Sequence, residues 1–294
     1  MSVSTNKFLN KVVIWLGKIS GGKIDKAAIS LLYWYYRKNP PARCKESKKF
    51  NDSHRDEIQK VEALLCDEKS KHTYSSMIKF RESYDLRIHP GFTEDANFVR
   101  DLVKLNNEEV FVDCGAYDGD TLNAFLEYTG NKFKRVIAFE PDPLNYDKAN
   151  QYINSLAQCI RQKIVLQKKG VSDKEKEISF KADGNEGSMI QATGNRQQAT
   201  GNIIFIQTVS LDKFQECYEA TYIKMDIEGE EMNALRGAQK LIKEKKPKLA
   251  ISIYHKDSDM IEIAQFIHNL VPEYKMYVRQ HSHSFYDTIL YCFI

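Results

Sequence analysis

The stretch VFVDCGAYDGDT, residues 110–121, decides the fold. Its opening is a short run of β-branched and aromatic residues, the pattern of a buried strand. Glycines follow at 115 and 119, and the spacing of Leu122, Phe125 and Leu126 predicts a helix over 120–128. Strand, glycine turn and helix N-terminus in that order let a ligand approach the backbone closely.

The alternation recurs downstream. RVIAFE (135–140) reads as a second strand, 143–157 as a helix and KIVLQ (163–167) as a third strand. A polar, β-like insertion covers 173–209 and holds ISFKA and IIFIQTV. YIKMDI (222–227) is a fourth strand. A helix over 229–243 follows, marked by Met232, Leu235, Ala238 and Leu241 at helical spacing. KLAISIY (248–254) is a fifth strand, before a helix at 258–270. YKMYVR (274–279) and DTILYCF (287–293) have no helix between them, so they are expected as an antiparallel edge pair. Apolar strands alternating with amphipathic helices predict an α/β fold, a Rossmann-like parallel sheet covered on both faces.

Upstream the pattern changes. Residues 56–80 read as one helix with Ile58, Val61, Leu64 and Leu65 on one side, and 93–104 as a short helix. A polar stretch from Asn39 to Arg55, with Pro40-Pro41, reads as a linker. The expected domains are a helical, basic extension over 1–90 and an enzyme domain over 91–294.

Net charge is only +3 but uneven: residues 1–60 hold 13 Lys/Arg against 5 Asp/Glu, and the remainder 30 against 35. Phe8, Val12, Trp15 and Ile19 share one helical face in that basic beginning. Either this helix packs on the body, or it rests on anionic membrane, a peripheral contact through residues 1–38. No apolar run reaches the roughly 18 residues of a membrane span. The first apolar stretch is too broken, and lacks the cleavage pattern, for a secretory signal. The six cysteines, Cys44, Cys66, Cys114, Cys159, Cys217 and Cys292, form no CxxC pair. That argues against a zinc ribbon or a disulfide scaffold, and for free thiols in a reducing cytoplasm.

In open α/β sheets, ligands bind at the carboxyl ends of strands. Glu140-Pro141-Asp142 closes the second strand, placing an acid where it can grip ribose hydroxyls. The full GxGxxG dinucleotide signature is absent, because position 117 is tyrosine. After the fourth strand, Lys224, Asp226 and Glu228 alternate with Met225 and Ile227, so the acids share a face if the strand continues. After the fifth, His255 stands at the sheet edge between Tyr254 and Lys256, a candidate general base. A divalent ion held by Asp226, Glu228 and His255 is disfavoured, because hard ions and imidazole prefer different partners. No metal is expected.

These motifs resemble the FkbM-type methyltransferases, class I enzymes that use S-adenosylmethionine. The resemblance is carried by VFVDCGAYDGDT, IAFEPDPLNY (137–146), VSLDKF (209–214), YIKMDIEGEEMNALRGA (222–238) and LAISIYHK (249–256). VRQHS (278–282) and DTILY (287–291) resemble the end of one branch, with Gln280 where that branch often has histidine. The resemblance covers about residues 92–294. It implies a class I methyltransferase sheet and S-adenosyl-L-methionine as cofactor. It also implies cofactor contacts from Asp113, Gly115, Ala116, Gly119, Thr121, Glu140, Pro141 and Asp226. Asp226, with His255 and Glu228, is expected near the transferred methyl group. The family is associated with O-methylation, often of sugars in polysaccharide or natural-product pathways, so the expected acceptor is a hydroxyl of a glycan, glycolipid or related metabolite in polysaccharide biosynthesis. Nucleic acid is not an expected partner: the NPPY-type motif is missing, and the basic beginning forms no continuous groove. The competing readings are an NAD-dependent oxidoreductase and a non-catalytic Rossmann-like binding protein. The expected location is the cytoplasm, or the inner face of the membrane.

Overall fold

The computed structural model describes residues 40–182, 189–190 and 203–294. The expected stripe Phe8/Val12/Trp15/Ile19 and the contact through residues 1–38 lie outside the described residues. No described helix is long and apolar enough to cross a membrane.

The chain forms two compact units. Of the described residues, one unit holds 40–53 and 76–89; the other holds 54–75 and 90–294. In the smaller unit, α1 (Ala42–Ser53) buries Cys44, Ser47 and Asn51. Asn51 donates to the Glu82 carboxylate at 3.1 Å, and Phe80 stacks on Tyr84 at 5.0 Å.

The helix expected over 56–80 is two helices, α2 (Arg55–Leu64) and α3 (Glu68–Ser83). The break has a local cause. Leu65 bridges to Met276, and the Cys66 amide donates to the Met276 carbonyl at 2.9 Å. Asp67 then caps the second helix, accepting from the Ser70 amide at 2.6 Å, and pairs with Arg279 at 2.6 Å. The short helix expected over 93–104 is a series of turns. Asp95 and Asn97 have φ of 57° and 66°, which no right-handed helix accommodates. Phe98, Val99 and Val103 still bury their side chains in the main core.

The main sheet is built from β1 (Val110–Cys114), β2 (Arg135–Phe139), β3 (Ile164–Gln167), β8 (Tyr222–Met225), β9 (Lys248–Ser252), β10 (Lys275–Gln280) and β11 (Thr288–Phe293). Their spatial order is β10-β11-β9-β8-β1-β2-β3. Neighbours are parallel except that β11 runs against β9 and β10, which is the expected antiparallel edge pair. The covering helices are α4 (Asp120–Thr129), α5 (Pro143–Ser155), α6 (Gln158–Arg161), α7 (Glu231–Arg236), α8 (Gln239–Lys245) and α9 (Asp259–Leu270). Between β3 and β8 the insertion contributes β4 (Gly170–Val171), β5 (Glu177–Lys181), β6 (Met189–Ile190) and β7 (Ile203–Val209). They form a second sheet ordered β4-β7-β5-β6.

The core explains why this pattern folds. Every residue of β1 and β8 is buried, as two-sided cover requires. Phe111 stacks on Phe125 from α4 and on Tyr222 from β8, at 4.7 and 5.4 Å. Burying each such ring contributes roughly 2–3 kcal/mol. The chain steps from β1 outward to β2 and β3, then returns to β8 on the other side of β1. That reversal opens a crevice between the ends of β1 and β8, where ligands bind in such sheets.

Candidate active site

Two turns flank the crevice. After β1, Gly115 has φ of +91°, and a Cβ built there would lie 2.0 Å from the Asp226 carbonyl oxygen. Only glycine lets these two strand ends close on each other. The Gly115 and Ala116 amides both donate to the Phe139 carbonyl at 3.0 Å, tying the turn to β2. Gly119, at φ +97°, then opens α4. Thr121, in the first turn of that helix, is buried, and its amide donates to Asp120.

Glu140 closes β2 and is 6% exposed. One carboxylate oxygen accepts from the Tyr117 amide and the other from the Asp142 amide, each at 2.8 Å. The glycine turn is thus pinned to the very acid the sequence singles out. Each oxygen keeps a second lone pair for another donor. Burial pushes the carboxyl up to about 7, although both amides favour its charged form. Pro141 follows as a half-buried bridge to Asp142, which caps α5 through the Leu144 and Asn145 amides.

Asp113 is the next-to-last residue of β1. It is fully buried within β1, beside Lys224 of β8, at 3.2 Å. Burial pushes its carboxyl up to about 6, against the pull of Lys224. Burial alone would discharge Lys224, but Asp113, Asp226 and Asp120 outweigh it and keep it charged. Lys224 also donates to the Gly115 carbonyl at 2.7 Å. The pair holds the glycine turn from beneath, and Asp113 acts through it.

The second turn begins where β8 stops. The fourth strand does not continue as 222–227: it ends at Met225, and Glu228 and Gly229 have φ of 58° and 94°. Asp226 and Glu228 converge all the same. His255, just beyond β9, has Nε2 3.6 Å from an oxygen of each. Its Nδ1 lies 3.1 Å from Glu231, a fully buried carboxylate in the first turn of α7. That same Glu231 oxygen accepts from the Ile227 amide at 2.8 Å, so one side chain fixes both the turn and the imidazole. Tyr254 donates its hydroxyl to Asp226 at 2.9 Å. Lys256 caps the Gly229 carbonyl, and its amide donates to Asp259.

Burial would lower the His255 pKa, yet Glu231, Asp226 and Glu228 together raise it to about 9. At neutral pH the ring is an imidazolium with two donors and no lone pair. Asp226, Glu231 and His255 offer donor atoms within 4.8 Å of one another, a spacing compatible with a cation. Burial and the Asp226 charge raise the Tyr254 pKa, so its hydroxyl stays a donor.

The structure therefore gathers Gly115, Ala116, Gly119, Thr121, Glu140 and Pro141 around one turn, and Asp226, Glu228 and His255 around the other. Sequence reasoning missed Glu231 and the supporting roles of Lys224 and Tyr254. Glu231 carries a visible signal: it lies four residues before Leu235 and seven before Ala238, a charge inside the apolar stripe of its helix. A cleft of about 260 Å³ opens beside the start of α4, lined by Asp95, Asn97, Asp120, Thr121 and Tyr128 among others. A larger cavity, about 620 Å³, lies at the opposite, amino edge of the sheet among Lys104, Lys245, Lys246, Lys248 and Lys275. Size does not decide between the edges; the perturbed acids and the histidine stand at the carboxyl edge.

Residues 113–280 match the family model described as the methyltransferase FkbM domain. Among solved structures, the chain is similar to the methyltransferase FkbM of Methylobacillus flagellatus KT, with 25% identity and a TM-score of 0.71. The match covers 83% of this chain and 60% of that one, so this chain spans under two thirds of that relative. It is more distantly similar to a fibrillarin of Aeropyrum pernix bound to S-adenosyl-L-methionine, with 11% identity, TM-score 0.40, over 66% of this chain and 71% of that chain. An rRNA methylase of Streptococcus thermophilus gives 15% identity, TM-score 0.38, over 64% and 87%. Similarity at those two levels carries no functional argument. No curated protein matches the chain in sequence.

Proposed function

The chain belongs to the FkbM methyltransferase family, and from that membership we propose that it transfers a methyl group from S-adenosylmethionine to an oxygen, the hydroxyl of a sugar in a glycan, glycolipid or related metabolite. The observation that supports this most is the pairing of the two turns. A glycine turn pinned to a strand-end acid stands on one side of the crevice, and a carboxylate–imidazolium cluster on the other.

The residues present suit the cofactor. Glu140 has lone pairs left for two ribose hydroxyls, and Gly115, Ala116, Gly119 and Thr121 surround the backbone turn beside it. Asp113 contributes through Lys224. When bound, S-adenosylmethionine supplies an electrophilic methyl group on a sulfonium.

An alcohol is a poor nucleophile until its proton leaves, so a base must lie at the acceptor. We assign that role to Asp226. His255, as an imidazolium, has no lone pair to serve as base. Its charge instead offsets part of that on Asp226 and Glu228, and keeps two carboxylates together at one edge. Tyr254 fixes the Asp226 oxygen that accepts its hydroxyl. With the cofactor bound, Asp226 would take the proton from the acceptor hydroxyl whose oxygen receives the methyl group. Glu228 orients the acceptor by accepting from a neighbouring hydroxyl. Positioning of this kind is the main source of rate in such a transfer.

The experiment is transfer of labelled methyl from S-adenosylmethionine to polysaccharide extracted from cells that carry this chain. Asp226→Asn should lose about 100-fold or more in rate, the scale of a positioned acid–base group. An Asp226→Asn enzyme at full rate removes Asp226 from the chemistry.

A further inference from the structure

The hairpin between β10 and β11 turns over at residues 281–287, and its place is fixed by register. Ile289 pairs with Ser252 and Gln280 with Thr288. The loop therefore stands at the same edge as the β9 end that carries Tyr254 and His255.

This loop is built, not merely connected. Gln280 is 2% exposed, an uncommon burial for an amide side chain. Its Nε2 faces the carbonyls of Ser282, Ser284 and Tyr286 at 3.0, 3.2 and 2.6 Å, and its Oε1 accepts from the Thr288 hydroxyl at 2.5 Å. The Ser282 hydroxyl donates to the Tyr286 carbonyl at 2.9 Å. On the near side, the His281 ring lies between the Thr93 carbonyl at 2.6 Å and the Tyr291 hydroxyl at 2.9 Å. Glutamine at 280 can do what a histidine cannot: one side chain offers two N–H donors and a carbonyl at once.

What the loop presents is a ring. Tyr286 is 56% exposed although its backbone is held on both sides. It meets Tyr254 edge-on, with centroids 5.9 Å apart and planes at 87°. The Tyr254 hydroxyl in turn bonds Asp226. An exposed aromatic on a satisfied loop, one ring away from the base, is a contact surface. The polar groups beside it set the ligand's chemistry. The side chains of Asp226 and Glu228 are 34% and 28% exposed, so solvent and ligand reach them. They are acceptors of hydroxyl hydrogen bonds, and they repel phosphate or carboxylate on an acceptor.

We propose that Tyr286 is the acceptor platform: its exposed ring stacks on the C–H face of a neutral sugar ring, whose hydroxyls reach the Asp226 and Glu228 carboxylates. The proposal rests on the methyltransferase reading and adds the residue that selects the acceptor and the class it selects. Neutral pyranoses are admitted and phosphorylated ligands rejected. Gln280 acts one step behind, as a positioning residue for the loop.

The test uses the full chain with S-adenosylhomocysteine bound, and saturation-transfer NMR with three probes. These are methyl β-D-galactopyranoside and methyl α-D-mannopyranoside, as neutral glycosides, and uridine 5′-monophosphate. Saturation should reach the ring protons of at least one glycoside. It should fall about fivefold in Tyr286→Ala and persist in Tyr286→Phe, because the ring and not the hydroxyl does the stacking. Calorimetry should give all three proteins the same affinity for S-adenosylhomocysteine. Equal glycoside signals in Tyr286→Ala and the parent, no glycoside signal in the parent, or preferred saturation of the nucleotide each overturn the platform. A parent chain that binds no S-adenosylhomocysteine instead contradicts the underlying methyltransferase reading.

Discussion

At the scale of single residues, Glu231 and His255 show how the site stores charge. A carboxylate with no exposure is costly unless something repays its lost hydration. Here the repayment is the Ile227 amide and the His255 ring, both at the same oxygen. The folded-state pKa of His255, about 9, stands above its ordinary value of 6.5. A raised base stabilises the fold fully below 6.5, and that contribution is lost as pH rises through about 9. Glu231→Gln keeps the acceptor for Ile227 and removes the charge. The His255 ring resonances of the parent should titrate near 9, and those of Glu231→Gln at a lower pH. The melting-temperature gap between the two proteins should narrow as pH rises from 6.5 to 9. A parent midpoint at or below 6.5 returns His255 to the role of base. Asp226, Glu228 and His255 were legible in the sequence because each follows a strand. Glu231 was less so: its place in the apolar stripe competes with the ordinary electrostatic explanation of an acid in the first turn of a helix.

At the scale of elements, helix breaks escaped the sequence, and so did α1 (Ala42–Ser53), which fills most of the polar stretch read as a linker. The helix expected over 229–243 divides at Gly237–Ala238 into α7 and α8. In one continuous helix, the Leu241 amide bonds the Gly237 carbonyl. Here that carbonyl instead accepts from the Ser210 hydroxyl and the Asp212 amide, at 2.7 and 2.8 Å. The Leu241 and Lys240 amides turn to the Asp212 carboxylate, at 2.8 and 3.0 Å. A Cβ at Gly237 would lie 2.1 Å from the Ser172 carbonyl oxygen, so the close approach needs glycine. The segments VSLDKF and LRGA are thus two halves of one junction, which no single-helix pattern reveals. Asp212→Ala should cost about 1 kcal/mol, the usual value of a lost helix cap. Amide exchange at Lys240 and Leu241 should quicken while the strands keep their protection. Unchanged exchange there contradicts the capping role.

At the scale of the whole molecule, alternating strands and helices made the sheet legible, and the motif positions made its working edge legible. The order β10-β11-β9-β8-β1-β2-β3 was not, since spatial order depends on long-range packing that no local pattern carries. That order creates the crevice, because β1 has β2 on one side and β8 on the other. On the proposed function, this crevice takes the adenosine of S-adenosylmethionine, with Glu140 at the ribose. Calorimetric titration with S-adenosylhomocysteine tests it most directly. The parent chain should bind one molecule per chain, and more tightly as pH rises through 7, where Glu140 ionises. Glu140→Ala should weaken binding by about 1–3 kcal/mol, the cost of hydrogen bonds to a charged group. Full affinity in Glu140→Ala, or a parent chain that ignores S-adenosylhomocysteine and binds NAD, contradicts the claim.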